Sequence, residues 1–148
     1  MGYRFYDSLG TAPAWEFGRG LSYSTFLYSG LRVEGALSTS PDSAVNVSFV
    51  VSLAAGSPAG AEVAQLYLQW AAGLGEPPQS LKGFSKVWLT PEAPSADVTL
   101  PLRGSDIAVW DEAADGWAIH PGIYGVAVGG SSRDKRLSAP LTVSARGA

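Results

Sequence analysis

Few residues in this chain of 148 have the type and spacing for chemistry. Gly20-Leu21-Ser22-Tyr23-Ser24 lies one residue from the G-x-S-x-G pattern of a serine nucleophile and lacks the second Gly. A serine hydrolase also needs a base and an orienting acid. The single imidazole, His120, stands beside Pro121 and reads as a solvated turn residue. Gly18-Arg19-Gly20 begins a phosphate-cradling G-x-G, but Tyr23 takes the third Gly place and no strand precedes it. Asp106, Asp111, Glu112 and Asp115 form the main acidic cluster. Paired carboxylates serve glycoside hydrolysis or hold a cation. Their spacing does not follow the alternate ligands of a calcium loop, so they read as solvated groups or as turn and cap acceptors. The chain has no Cys, which removes thiol, disulfide and zinc-knuckle chemistry. No catalytic, cofactor-binding or metal-binding residue is assigned.

The five tryptophans are Trp15, Trp70, Trp88, Trp110 and Trp117. An exposed indole can stack on the apolar face of a sugar, while a buried one fills a core. Trp70 falls in the core-facing phase of its segment. Trp88 is out of phase with Val87 and Leu89, and Trp110 and Trp117 flank the acidic loop. Trp88, Trp110 and Trp117 are therefore the candidate contacts to a polymer such as polysaccharide or lignin. Asn46-Val47-Ser48 is a glycosylation acceptor in a secreted eukaryotic protein, with Asn46 pointing outward. Arg133-Asp134-Lys135-Arg136 reads as a charged loop tip, either solvated or touching a neighbouring domain.

Alternation dominates the elements that must position these residues. Hydrophobic residues make up 46% and charged residues 16%, enough apolar material for one core. With 18 Gly and 10 Pro the chain is heavily punctuated, which favours many short segments over a helical bundle. The net charge of −3 shows no basic excess for nucleic acid. The N-terminal residues lack the apolar run of a signal peptide, and no stretch of about 18 apolar residues is present to span a membrane.

Val45, Val47, Phe49, Val51 and Leu53 fall at every second position, a half-buried strand. Leu31 and Val33 share a face in the strand before it. In the next, Ala64, Leu66, Leu68 and Trp70 take the core face, leaving Val63, Gln65, Tyr67 and Gln69 to the other. Leu81 to Leu89 is a less regular strand. Pro101 argues for an edge position in Val98 to Leu102. Residues 106–118 are the least strand-like and suit a short helical turn. Ile123 to Val128 and Leu137 to Val143 finish the chain. About seven strands at this spacing predict an all-β, antiparallel immunoglobulin-like sandwich. Tyr124 opens the penultimate strand as a tyrosine corner would, with Val126 at an inward position. Residues 1–26 hold Tyr3, Phe5, Tyr6, Trp15, Phe17, Tyr23 and Phe26 without alternation. They read as an extended arm, 1–26, that packs on something, ahead of a domain over 27–148.

Several segments resemble the C-terminal end of glycoside hydrolase family 3 β-glucosidases. They are GYRFYD (2–7), AWEFGRGLSYSTF (14–26), GAEVAQLYLQ (60–69), LKGFSKVWLTP (81–91) and WDEAADGWAIHPGIYGVAVGGSSRDKRL (110–137). Order and spacing match along nearly the whole chain. The turn at 52–60 lacks the family's usual Asn-Thr-Gly, and Pro91-Glu92-Ala93 replaces its Pro-Gly-Glu. The resemblance implies a fibronectin type III-like domain. It also implies a parent that cleaves terminal β-linked sugars with retention, through an Asp nucleophile and a Glu acid/base in upstream domains. No residue here matches either motif. It implies a non-catalytic accessory domain that stabilises or anchors the catalytic domains, with Trp15, Phe17, Tyr23 and Phe26 as interdomain contacts. No cofactor, nucleic acid or membrane partner is expected. A β-xylosidase parent shares the same domain, and such a parent is expected to be secreted or extracellular.

Overall fold

A computed structural model describes residues 2–145 of the chain. The alternating stretches become strands: β1 (Phe26–Ser38), β2 (Ala44–Leu53), β3 (Gly60–Gln69), β4 (Gln79–Leu89), β5 (Ser95–Arg103), β6 (Val109–Asp111), β7 (Gly116–Ala118), β8 (Gly122–Gly129) and β9 (Lys135–Ser144). A short helix, α1 (Tyr3–Ser8), precedes them, and a 3-10 turn spans Gly104–Ile107.

In β2 every second residue faces inward, so Val45, Val47, Phe49, Val51 and Leu53 are all buried. They meet Leu66 and Leu68 of β3, Val98, Leu100 and Leu102 of β5, and Val126 and Val128 of β8 in one core. Each fully buried side chain of this size contributes about 1.5–3 kcal/mol. Trp70 packs against the core and stays half-buried, its Nε1 donating to Ser80 Oγ at 3.0 Å. Asn46 faces outward on β2 as expected.

Seven strands hydrogen-bond in one order, β4-β3-β8-β9-β1-β2-β5, and β6 and β7 form a separate hairpin. The fold is all-β, but its sheets are not cleanly separated as a two-layer sandwich requires. The single sheet curls until its end strands, β4 and β5, touch. β1 causes this. Its residues from Phe26 to Ala36 pair antiparallel with β2, and Leu37 and Ser38 pair parallel with Val143 and Ser144 of β9. The strand bends at a register shift between Ser29 and Arg32, where Gly30 adopts φ 66°. One strand thus serves both halves, and its parallel pairing departs from the all-antiparallel expectation.

Two further expectations change. The stretch 106–118, read as the least strand-like, holds the hairpin β6–β7, with the end of the 3-10 turn just before it. The N-terminal arm is not extended: α1 occupies Tyr3–Ser8, and 9–25 runs without regular structure. Other signals are met. Pro101 sits on β5, an end strand. Tyr124 donates its hydroxyl to the His120 carbonyl at 2.9 Å, forming the tyrosine corner, and Val126 is fully buried.

Tyr124→Phe removes that bond and should lower stability by about 1 kcal/mol. Leu66→Ala should cost about 2–5 kcal/mol. Urea unfolding followed by tryptophan fluorescence reads both; a Tyr124→Phe variant as stable as wild type would show that the corner carries no weight.

Candidate functional site

From Ala64 to Leu68, β3 is buried on both faces. Its inward residues fill the core, yet Gln65 and Tyr67 on the opposite face are also buried. Alternation alone places that face opposite the core and does not say what covers it. The cover is the chain's own N-terminal segment. Tyr3 stacks on Phe17 with ring centroids 4.6 Å apart and meets Tyr67 edge-on at 6.0 Å. The Tyr3 hydroxyl also accepts the backbone N–H of Leu81 on β4, at 2.7 Å.

Polar pins fix the segment in register. Gln65 Nε2 donates to the carbonyls of Gly18 (3.1 Å) and Gly130 (2.6 Å), while its Oε1 accepts the Tyr67 hydroxyl at 2.6 Å. Gln79 Nε2 donates to Asp7 Oδ2 (2.7 Å) and to the Ser132 carbonyl (2.8 Å). The Ser132 N–H donates to the Phe17 carbonyl at 2.9 Å. Ser131 donates its hydroxyl to the Glu16 carboxylate and accepts from the Arg133 and Asp134 N–H groups. Arg133 Nη2 reaches Asp7 Oδ1 (3.0 Å) and the Thr11 carbonyl (2.9 Å). The loop 130–134 is therefore a clasp on the N-terminal segment, and Ser131 and Ser132 are buried in it. Lys135 is exposed, and Asp134 and Arg136 pair with each other, as expected of a solvated tip.

Between the clasp and residues 16–26 lies a cavity of about 640 Å³. Glu16, Glu62 and Asp134 line it beside Arg19, Arg133 and Arg136. Its charges balance. Burial and the hydrogen bond to Glu62 hold the Tyr28 phenol above its ordinary pKa.

The sequence-derived candidates separate. Trp15, Phe17 and Tyr23 expose their aromatic faces on the outside of the pinned segment, Tyr23 completely at 100%. Phe26 does not join them; at 6% exposure it belongs to the core, because β1 begins with it and turns it inward. Trp88 is exposed on β4. Trp110 and Trp117 face each other across β6–β7, edge to face at 5.8 Å, and both are exposed. Asp111 accepts the N–H groups of Ala113 and Ala114, and Asp106 accepts that of Arg103, the turn and cap roles expected. His120 is half-buried and serves the fold through its carbonyl. Gln65, Tyr67, Gln79, Ser131 and Ser132 were missed as site residues. Gln65 and Tyr67 showed one sequence signal, polar atoms placed between the inward-facing Ala64, Leu66 and Leu68.

Gly18 is the weakest point of this arrangement to perturb. Its φ is +80°, and a Cβ there would stand 2.3 Å from Gln65 Oε1. Gly18→Ala should cost about 1–3 kcal/mol. Burial raises the Tyr67 phenol above its ordinary pKa of 10.0, with the Tyr3 and Asp7 charges adding to the shift. The folded state therefore holds this proton more tightly, and the stability it confers is lost as pH rises above about 10. Alkaline titration by phenolate absorbance should show Tyr67 ionising at lower pH in Gly18→Ala. An unchanged titration would mean that the segment does not cover Tyr67.

Residues 62–132 match the family model described as "Fibronectin type III-like domain". The chain is 38% identical over 159 residues to the probable β-glucosidase D of Emericella nidulans, covering 97% of the chain and 19% of that protein. A solved glycoside hydrolase family 3 β-glucosidase from Bifidobacterium adolescentis superposes with a TM-score of 0.85 at 36% identity, over 97% of the chain and 20% of that structure. β-glucosidase 3B from Thermotoga neapolitana gives 0.84 at 37% identity, over 97% and 19%. The chain spans about a fifth of the length of the relatives it matches. It carries a fibronectin type III-like domain and, over nearly its whole length, is similar to one part of glycoside hydrolase family 3 β-glucosidases.

Proposed function

We propose that this chain is the accessory portion of a family 3 β-glucosidase and that it stabilises the catalytic portion by docking through its N-terminal segment. The observation that carries the reading is the two-sidedness of that segment. One side is pinned to β3, β4 and the 130–134 loop; the other presents Trp15, Phe17, Leu21 and Tyr23 to the outside. A free apolar surface of this kind marks a contact site. In this reading 1–26 joins the catalytic portion to the domain over 27–148. The parent hydrolyses terminal β-D-glucosyl residues with retention, through an Asp nucleophile and a Glu acid/base outside this chain. A β-xylosidase parent is the alternative within the same reading.

Tyr23 is the most direct probe, because it makes no packing contribution to the chain alone. Tyr23→Ser should leave the isolated chain within about 0.5 kcal/mol of wild type. In the parent enzyme the same change, combined with Trp15→Ser, should lower Tm and shorten the half-life of β-glucosidase activity on heating. Unchanged thermal inactivation would remove the stabilising role, and turnover of aryl β-glucosides by the isolated chain would remove the non-catalytic one.

A second reading, anchoring to polysaccharide or lignin, is favoured by Trp110 and Trp117, which stand exposed on their own hairpin. Indole faces placed this way suit the apolar face of a sugar or an aryl ring. A pull-down on insoluble cellulose, xylan and lignin should retain the chain and lose it in the Trp110→Ala, Trp117→Ala double variant; no retention of the wild type would end this reading.

A further inference from the structure

The outer face of β3 and β4 is covered over one half and bare over the other. Gln65, Tyr67 and Gln79 lie beneath the N-terminal segment, whereas Val63, Phe84 and Trp88 do not. The border is abrupt. Phe84 is the β4 partner of Gln65, yet Gln65 is 3% exposed and Phe84 66%. Phe84, Lys86 and Trp88 alternate on this face, opposite Gln65, Val63 and Ala61. A strand face turned to water normally carries polar residues, and an end strand is guarded by charge. β4 is an end strand, and its outward residues here are Phe, Lys and Trp.

We propose that Val63, Phe84 and Trp88 form a second docking patch for the upstream catalytic portion of the parent enzyme. The inference rests on the accessory reading above and extends the contact from the N-terminal segment onto the sheet itself. Two features identify the occupant. The first is continuity: Gln65 grips the Gly18 carbonyl and is itself the β3 partner of Phe84, so the segment borders the bare strip at this pair. A body resting on the segment therefore stands beside the strip. The second is charge. From 77 to 91 the chain bears Lys82 and Lys86 and no carboxylate, which suits an apolar surface rimmed by Asp or Glu. The β6–β7 hairpin has the opposite character, with Asp111, Glu112 and Asp115 beside its two indoles and no Lys or Arg between 104 and 132. Trp88 thus parts from Trp110 and Trp117 and joins the interdomain contacts, the polar rim and apolar centre being those of a protein interface.

Hydroxyl-radical footprinting with mass spectrometry, on the isolated chain and on the full-length parent, tests this. Oxidation of Phe84 and Trp88 should fall several-fold in the parent, while Trp110 and Trp117 react alike in both. If Trp15 and Tyr23 are protected in the parent but Phe84 and Trp88 are not, this inference fails and the accessory reading stands. If none of the four is protected, both fail. Protection of Trp88 in the isolated chain that grows with concentration would make the occupant a second copy. Protection on adding soluble xylan or β-glucan would make it a polysaccharide. Either result overturns the proposal.

Discussion

The amide of Gln65 ties together three stretches of chain that are distant in sequence. It holds Gly18 in the N-terminal segment, Gly130 at the start of the clasp and Tyr67 on its own strand. Such an amide is buried at a cost unless its polar atoms are paired. Pairing them demands that the segment lie where it does. The strand gains a second covered face, and the aromatic stack of Tyr3 and Phe17 over Tyr67 follows. Remove the segment and Gln65 loses the Gly18 carbonyl, Gln79 loses the Asp7 carboxylate, and the Tyr67 ring loses its contact with Tyr3.

This constraint explains why the molecule has two kinds of apolar surface. The core between the curled halves of the sheet is built from strand alternation and is closed on itself. The surface of the N-terminal segment is built from aromatics that point away from the body that pins them. A rigid base under exposed aromatics lowers the entropy lost when a partner binds, because the backbone that carries them is already held. The cavity beside the clasp belongs to the same junction. Its balanced acids and arginines fit a polar seam between chain segments.

Much of the core was legible from the residues. Val45 to Leu53 could only alternate one way, and Tyr124 at the head of a strand signalled its corner. The hairpin β6–β7 was not legible, because three-residue strands are too short to display a period. The bend of β1 was hidden too, since Gly30 marks a bulge without saying which strands the two halves will meet. Phe26 was assigned to the arm by its aromatic neighbours, although the strand it opens pulls it into the core. Gln65 and Tyr67 fell on the face opposite the core, and alternation reports two faces without saying that a distant segment covers the second. The run Arg133-Asp134-Lys135-Arg136 looked like a charged tip, and only the fold brings Asp7 and Thr11 to Arg133.

The central claim is that the N-terminal segment is pinned to the sheet by this chain's own groups, before any partner arrives. Native-state hydrogen exchange on the isolated chain measures it at two amides, Leu81 and Ser132, which donate to the Tyr3 hydroxyl and the Phe17 carbonyl. The account predicts strong protection of both, lost when residues 2–25 are deleted. Exchange of both amides at the same rate with and without those residues would contradict it.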